Sequence, residues 1–189
     1  MSQITIRSAR SDDIPTLLGL INASSAGLPL HAWQLSASPG QTAWDRGRDL
    51  MLDQNSGIHF GHCWVAQTAE GGLGGLVFQT PLTPGGRTRD PDAPFLRPLR
   101  ELQAEAEGST HVSHLCTMDG WRRNGIGSAM LGFAESFRAR RGMSAIISSA
   151  NREGRSLCRR FGYADRSRRR IVLPNGYSTD DDWILVCKP

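Results

Sequence analysis

The stretch that most restricts what this chain can fold into is Thr110–Ser128, THVSHLCTMDGWRRNGIGS. Its first eight residues predict a strand, Thr110–Thr117. A polar, glycine-bearing turn follows, and then Gly125–Arg141 predicts a helix. There Ile126, Met130, Phe133 and Phe137, with the small Ala129 and Ala134, recur at helical spacing. A further strand at Ala145–Ser149 completes a β-α-β unit, which implies parallel pairing and a right-handed crossover. The chain is therefore an α/β domain.

The remaining elements fit around that unit. Gln3–Arg7 predicts a strand. Ser11 or Asp12 caps a helix running to about Asn22, with Pro15 in its first turn and Ile14, Leu17, Leu18 and Ile21 on one face. Residues 27–40 predict a loop and Ala43–Asp53 a helix. Cys63–Thr68 and Gly74–Thr80 flank AEGGLG, a hairpin signal. Residues 81–94 predict an exposed loop and Phe95–Ala106 a short helix. Arg152–Phe161 predicts a helix, and strands near 168–173 and 183–187 close the sheet. At 189 residues the chain suits one domain, 1–189.

Charge is unevenly spread. Residues 1–120 carry 8 basic and 12 acidic side chains, whereas residues 121–189 carry 14 and 6. Such asymmetry points to an anionic ligand, nucleic acid or a membrane surface near the second half. Lys188 is the only lysine. No apolar run reaches the roughly 18 residues a membrane span needs, and the N-terminal sequence has no apolar signal core, so a cytoplasmic protein with no membrane partner is expected. Cys63, Cys116, Cys158 and Cys187 match no metal-ligand spacing, so no metal is expected.

Chemistry concentrates where the predicted strand meets the predicted helix. Glycines at Arg122-x-x-Gly125-x-Gly127 let a ligand approach the backbone closely. Unpaired amides at a helix start and the helix dipole favour anions. Arg122 and Arg123 add charge-assisted donors. A phosphate or pyrophosphate cradle is expected; the pattern is neither a Walker motif nor a dinucleotide fingerprint.

LCTMDGWRRNGIGSAML resembles motif A of the GNAT family of N-acetyltransferases, in which a strand is followed by R/Q-x-x-G-x-G/A. Asn151–Tyr163, NREGRSLCRRFGY, is similar to the family's N-x-x-A-x-x-L-Y-x-x-x-G-F/Y segment. WVAQTAEGGLGGLVF resembles its second and third strands, and IRSARSDDIPTLLGL its opening. GLPLHAW and DDDWILVCKP resemble a bacterial subgroup. The resemblance implies a mixed sheet of about six or seven strands flanked by about four helices, splayed open where acetyl-CoA inserts. It implies direct acetyl transfer from acetyl-CoA to an amine in a ternary complex.

Residue by residue, the resemblance implies that Leu115, Cys116 and Thr117 present backbone groups to the pantetheine arm and thioester. Arg122, Arg123, Asn124, Gly125, Ile126, Gly127 and Ser128 would hold the pyrophosphate. Asn151 would reach the pantetheine arm, or simply cap its helix. His111, which strand alternation places with Ser113 and Leu115, is the first candidate for the base; a structural histidine is the alternative. His114 should face the other way. Position 158 departs from the family, carrying Cys158 where many members have a tyrosine acid. Cys158 donates a proton, or the thiolate leaves unassisted, or Tyr177 or Ser156 substitutes. Trp33 could stack on the acceptor or serve as an anchor. Asp180, Asp181 and Asp182 could attract a cation or simply form a solvated turn.

Two other functions compete: a non-catalytic acyl-CoA sensor, and nucleic-acid binding by the arginines between Arg138 and Arg170. The second is disfavoured because that stretch lacks interleaved aromatics. An exposed C-terminal strand could support a homodimer.

Overall fold

The computed structural model describes residues 4–82 and 93–189. The loop expected over 81–94 therefore lies, but for its ends, outside the described residues. The chain divides into two compact units, one from residues within 4–79 and 114–134, the other from 80–82, 93–113 and 135–189.

In the first unit β1 (Thr5–Ser8), β2 (Cys63–Gln67) and β3 (Leu73–Pro81) form an antiparallel meander, with Ile6 opposite Ala66 and Cys63 opposite Phe78. The predicted hairpin is thus present. Helix α1 (Ile14–Ser24) buries Ile14, Leu17, Leu18, Leu20 and Ile21. It does not start on a Ser11 or Asp12 cap. A 3-10 turn over Ser11–Asp13 precedes it, and Asp13 is drawn to the Arg10 amide and to Arg7, 2.7 Å away.

Residues 28–36 correct the loop expected over 27–40: they form α2 (Leu28–Ser36). Gly27, at φ 82°, makes the turn, Pro29 fits the first helical turn, and the Asn22 side chain accepts the Leu30 amide at 3.1 Å. Leu28, Ala32 and Trp33 then face inward together. Helix α3 (Ala43–Leu52) starts from a Thr42–Asp45 capping box and packs on α2.

In the second unit α4 (Arg97–Glu105) follows a 3-10 turn at Pro94–Leu96 and packs on β6 (Ala164–Val172). Arg169 there bridges Glu101 and Glu105 at 2.7 and 2.8 Å. Strand β5 (Met143–Ser148) pairs in parallel with the first residues of β4 (Thr110–Thr117) and antiparallel with β7 (Ser178–Lys188). Among the described residues β6 pairs only with β7, and both closing strands are longer than expected. Helix α6 spans Arg152–Arg160. β4 contributes residues to both units, and through it the strands follow the order β1-β2-β3-β4-β5-β7-β6. The expected mixed α/β sheet is present.

The central helix is shorter than its periodicity predicted: α5 spans Ile126–Glu135. Beyond it Thr110 captures the backbone, donating to the Phe137 carbonyl at 2.9 Å and accepting the Ala139 amide at 3.1 Å. Gly142, at φ 84°, turns the chain into β5. Phe137 is consequently 45% exposed rather than part of a core face. Among the described residues, no helix is long and apolar enough to cross a membrane.

Candidate functional site

The first unit gathers the predicted cradle. Leu115, Cys116 and Thr117 end β4, and the Met118 amide closes the pairing onto the Gly74 carbonyl at 3.0 Å. A 3-10 turn at Asp119–Trp121 lifts the chain away from the sheet. Arg122 is extended, Arg123 takes φ 66° and Gly125 φ 83°, so two left-handed residues reverse the chain into α5. A left-handed arginine is unusual and costs about 1–2 kcal/mol, so surrounding structure must hold it there.

Packing then fixes the helix start. Ile126 and Met130 are buried, and both lie against the missing side chain of Gly75: a Cβ there would meet Ile126 and Met130 at 3.1 Å and the Cys116 carbonyl oxygen at 2.6 Å. Glycine at this position allows β3, the end of β4 and the first turn of α5 to meet. The amides of Ile126, Gly127 and Ser128 form that first turn, where no intrahelical acceptor exists. Arg122, Arg123, Asn124 and Gly125 are exposed around it. Arg122 pairs with Asp119 at 2.9 Å, but both are well exposed and the pair constrains little. Burial pushes the Cys116 thiol up, with the Arg122 cation opposing. Two exposed cations, a row of free amides and a helix N-terminus can bind a polyanion.

The second unit holds His111, Asn151 and Cys158. His111 is only 2% exposed, and its Nδ1 lies 2.9 Å from Ser144 Oγ, itself 2.7 Å from Ser109 Oγ. Asn151 caps α6, accepting the Gly154 amide at 2.8 Å. Cys158 is buried; its thiol is pushed up to about 11, first by burial and then by the Glu135 carboxylate. Tyr163, also buried, is raised by the same causes, and Lys188 pairs with both Glu135 oxygens at 2.8 Å beneath it.

Two expectations about the acceptor change. Trp33 is 4% exposed; a Cβ on Gly47 of α3 would sit 2.7 Å from its ring, so it anchors α2 to α3 and has no face left for stacking on a ligand. Asp181 accepts from Ser149 at 2.7 Å, and Asp182 lies 3.6 Å from Arg170, so two of the three terminal aspartates serve the fold. Tyr177 is 74% exposed in the turn before β7.

Sequence reasoning passed over His114. Its Nδ1 lies 2.9 Å from Ser24 Oγ and 3.1 Å from Ser25 Oγ at the end of α1, and its ring packs against Phe78. Desolvation holds it down to about 4, so it is uncharged at neutral pH. A serine pair ninety positions upstream leaves no local signal near His114.

No family model matches the chain by sequence, and no curated protein does either. Solved structures match along nearly its whole length. An N-acetyltransferase from Staphylococcus aureus Mu50 superposes with TM-score 0.67 at 12% identity, covering 97% of this chain and 100% of that one. A mosquito arylalkylamine N-acetyltransferase like 5b gives 0.65 at 16%, covering 98% and 99%. The diaminobutyrate acetyltransferase EctA from Paenibacillus lautus, in complex with its substrate L-2,4-diaminobutyric acid and coenzyme A, gives 0.56 at 15%, covering 100% and 96%. The fold is that of the GNAT acetyltransferases.

Proposed function

We propose that this chain is a GNAT-family N-acetyltransferase that moves an acetyl group from acetyl-CoA directly to an amine in a ternary complex. The observation that carries the reading is the cradle at Arg122–Ser128, where left-handed Arg123 and Gly125 deliver the chain into the free amides of α5. Those groups fit a pyrophosphate in charge and in donor count. Leu115, Cys116 and Thr117, the adjoining strand end, would hold the pantetheine arm. Acetyl-CoA supplies the activated acetyl group and carries its own leaving group.

Asn151 keeps its side-chain NH2 available while its oxygen caps α6, which supports a second role toward the pantetheine arm. His111 would take the amine proton. The ordered Ser144–Ser109 chain supports that role: Ser109 donates to the Ala106 carbonyl at 2.7 Å, so Ser144 donates to Ser109 and His111 Nδ1–H donates to Ser144. The buried, protonated Cys158 supports thiolate departure without a dedicated acid rather than an acetyl-cysteine route. A cytoplasmic location and a homodimer through the β6 edge fit the same reading.

Titration calorimetry with acetyl-CoA and thiol release with a panel of amines test the proposal. Binding at micromolar concentrations with amine-dependent CoA release is expected. Tight binding with no release from any amine would replace it with the acyl-CoA sensor.

A further inference from the structure

Three places stand outside the functions assigned so far: the Glu135–Lys188–Tyr163–Cys158 cluster, the arginine face of α6 and β6, and an open cavity of about 190 Å³ within the second unit. The first is an internally satisfied ion pair under a buried ring. The second commits Arg155, Arg169 and Arg170 to carboxylates of its own unit. The cavity is different, because its wall carries charges that the fold does not pair.

It lies between the end of α4, the starts of β4 and β5, and the start of β6 beside the end of β7. Ala106 and Met143, both buried, give it an apolar wall. Ser109 is buried with them, and its hydroxyl donates to the Ala106 carbonyl at 2.7 Å. Among the charged groups, Glu105 is answered by Arg169 and Lys188 by Glu135, each at 2.8 Å. The Pro189 carbonyl oxygen accepts from Arg138 at 3.0 Å. Arg141, Arg166 and Glu107 remain, and among the described residues none of them makes an ion pair.

Local backbone features set both arginines on this wall. Gly108 turns the chain at φ 83°, and a Cβ there would lie 2.5 Å from Arg141 Cδ, so the arginine stem crosses the turn where glycine leaves room. The register of β6 on β7 slips between Asp165 and Ser167, leaving Arg166 as the extra residue. A bulge of this kind re-aims a side chain, and Arg166 faces the Cys187 thiol on the same wall. Two guanidinium forks and one carboxylate are thus set around an apolar surface. Their complement is two carboxylates and one ammonium joined by methylenes. An enclosed apolar cavity of about 150 Å³ admits benzene, so this open one suits a molecule of about ten non-hydrogen atoms.

We propose that this cavity binds a free dicarboxylic α-amino acid of the size of glutamate, with its carboxylates on Arg141 and Arg166, its ammonium on Glu107 and its methylenes against Ala106 and Met143. A simple polyanion fits less well, because Glu107 stands on the same wall and repels it. A polyamine fits less well still, since the unpaired cations outnumber the unpaired carboxylate. The site shares no residue with the Arg122–Ser128 cradle, and the inference does not depend on the acetyl-transfer reading. Cys187, half-buried on the wall, is a built-in reporter of occupancy.

Calorimetry with L-glutamate, and alkylation of Cys187 by iodoacetamide read by peptide mass, test this on the full chain with no acetyl donor present. L-glutamate should bind with Kd of about 1 mM or below. At ten times that Kd it should slow Cys187 alkylation about tenfold by mass action, while Cys116, in the cradle, keeps its rate. Glutarate, which lacks the ammonium, and 4-aminobutyrate, which lacks one carboxylate, should each bind about tenfold more weakly. Arg141→Gln and Arg166→Gln should each weaken L-glutamate about tenfold with Tm held within about 2 °C. Glu107→Gln should erase the preference for L-glutamate over glutarate. No heat and no protection at about 20 mM L-glutamate overturns the site, and so does a Cys187 that is inert in the free protein. Equal affinity for glutarate or for inorganic phosphate overturns the amino-acid class. Binding that survives both arginine substitutions undiminished overturns the assignment to this cavity.

Discussion

Replacing Gly75 by alanine tests whether the cradle is built on the close approach of three elements. The added Cβ would lie 2.6 Å from the Cys116 carbonyl oxygen, against about 3.4 Å or more for ordinary contact, with Ile126 Cγ2 and Met130 Sδ at 3.1 Å. A flexible tip can swing away, but a backbone carbonyl moves only if its strand moves. Met118, two residues on, is tied to Gly74 at 3.0 Å, so β4 would carry that bond with it. Overpacking of this kind costs about 2–3 kcal/mol, which for a chain of this length lowers Tm by about 5–10 °C. Cys116 is also one of the residues proposed to hold the pantetheine arm, so acetyl-CoA affinity should fall about tenfold, or about 1.4 kcal/mol. Gly74→Ala is the control. Its Cβ would meet Ile126 Cδ1 at 2.7 Å, the end of a side chain, and should cost less than about 1 kcal/mol. Thermal denaturation and calorimetry with acetyl-CoA measure both quantities. A Gly75→Ala protein that melts within about 2 °C of the parent and binds acetyl-CoA unchanged would refute the argument.

Arg123→Gly separates strain from binding: it removes a left-handed arginine, so Tm should hold within about 2 °C while acetyl-CoA affinity drops about tenfold; unchanged affinity in calorimetry would remove Arg123 from the cradle. Cys158→Ala should leave kcat/KM within about threefold, and the parent incubated with acetyl-CoA should gain no acetyl mass, because the thiol is buried and protonated; a stable acetyl adduct would reinstate the cysteine route. Arg7 holds the Asp13 carboxyl below its usual range through a 2.7 Å hydrogen bond. The stabilisation is therefore present above about pH 4, the unfolded value, and fades as pH falls through the lower folded value. Arg7→Ala should cost about 1–2 kcal/mol at pH 7 and markedly less near pH 2.5 in urea unfolding; an equal loss at both would contradict the pairing.

Legibility in the sequence followed the range of the interactions concerned. Strand β4 and the start of α5 were readable because the pattern from Thr110 through Ser128 carries its own periodicity and its own glycines. Helix α2 was hidden because Gly27 and Pro29 look like loop residues until Asn22 supplies a partner for the Leu30 amide. The early end of α5 was invisible because Thr110, 27 positions upstream of Phe137, ends it. Trp33 resembled a ligand-stacking residue until Gly47 opened a place for its ring. His114 resembled a strand residue on the wrong face until α1 brought Ser24 to it. Local pattern reports elements; the protonation and availability of a side chain are set by partners far along the chain.

The ion pair between Lys188 and Glu135 has a chemical consequence of its own. Lys188 is the only lysine, and its ammonium sits between two carboxylate contacts of 2.8 Å with a quarter of its side chain exposed. All other side-chain cations are guanidinium groups, which stay charged and are poor nucleophiles at neutral pH. Among side-chain amines, the protein thus offers an acyl donor a single ion-paired candidate. An amine-reactive probe should find its lysine chemistry confined to one slow, ion-paired position.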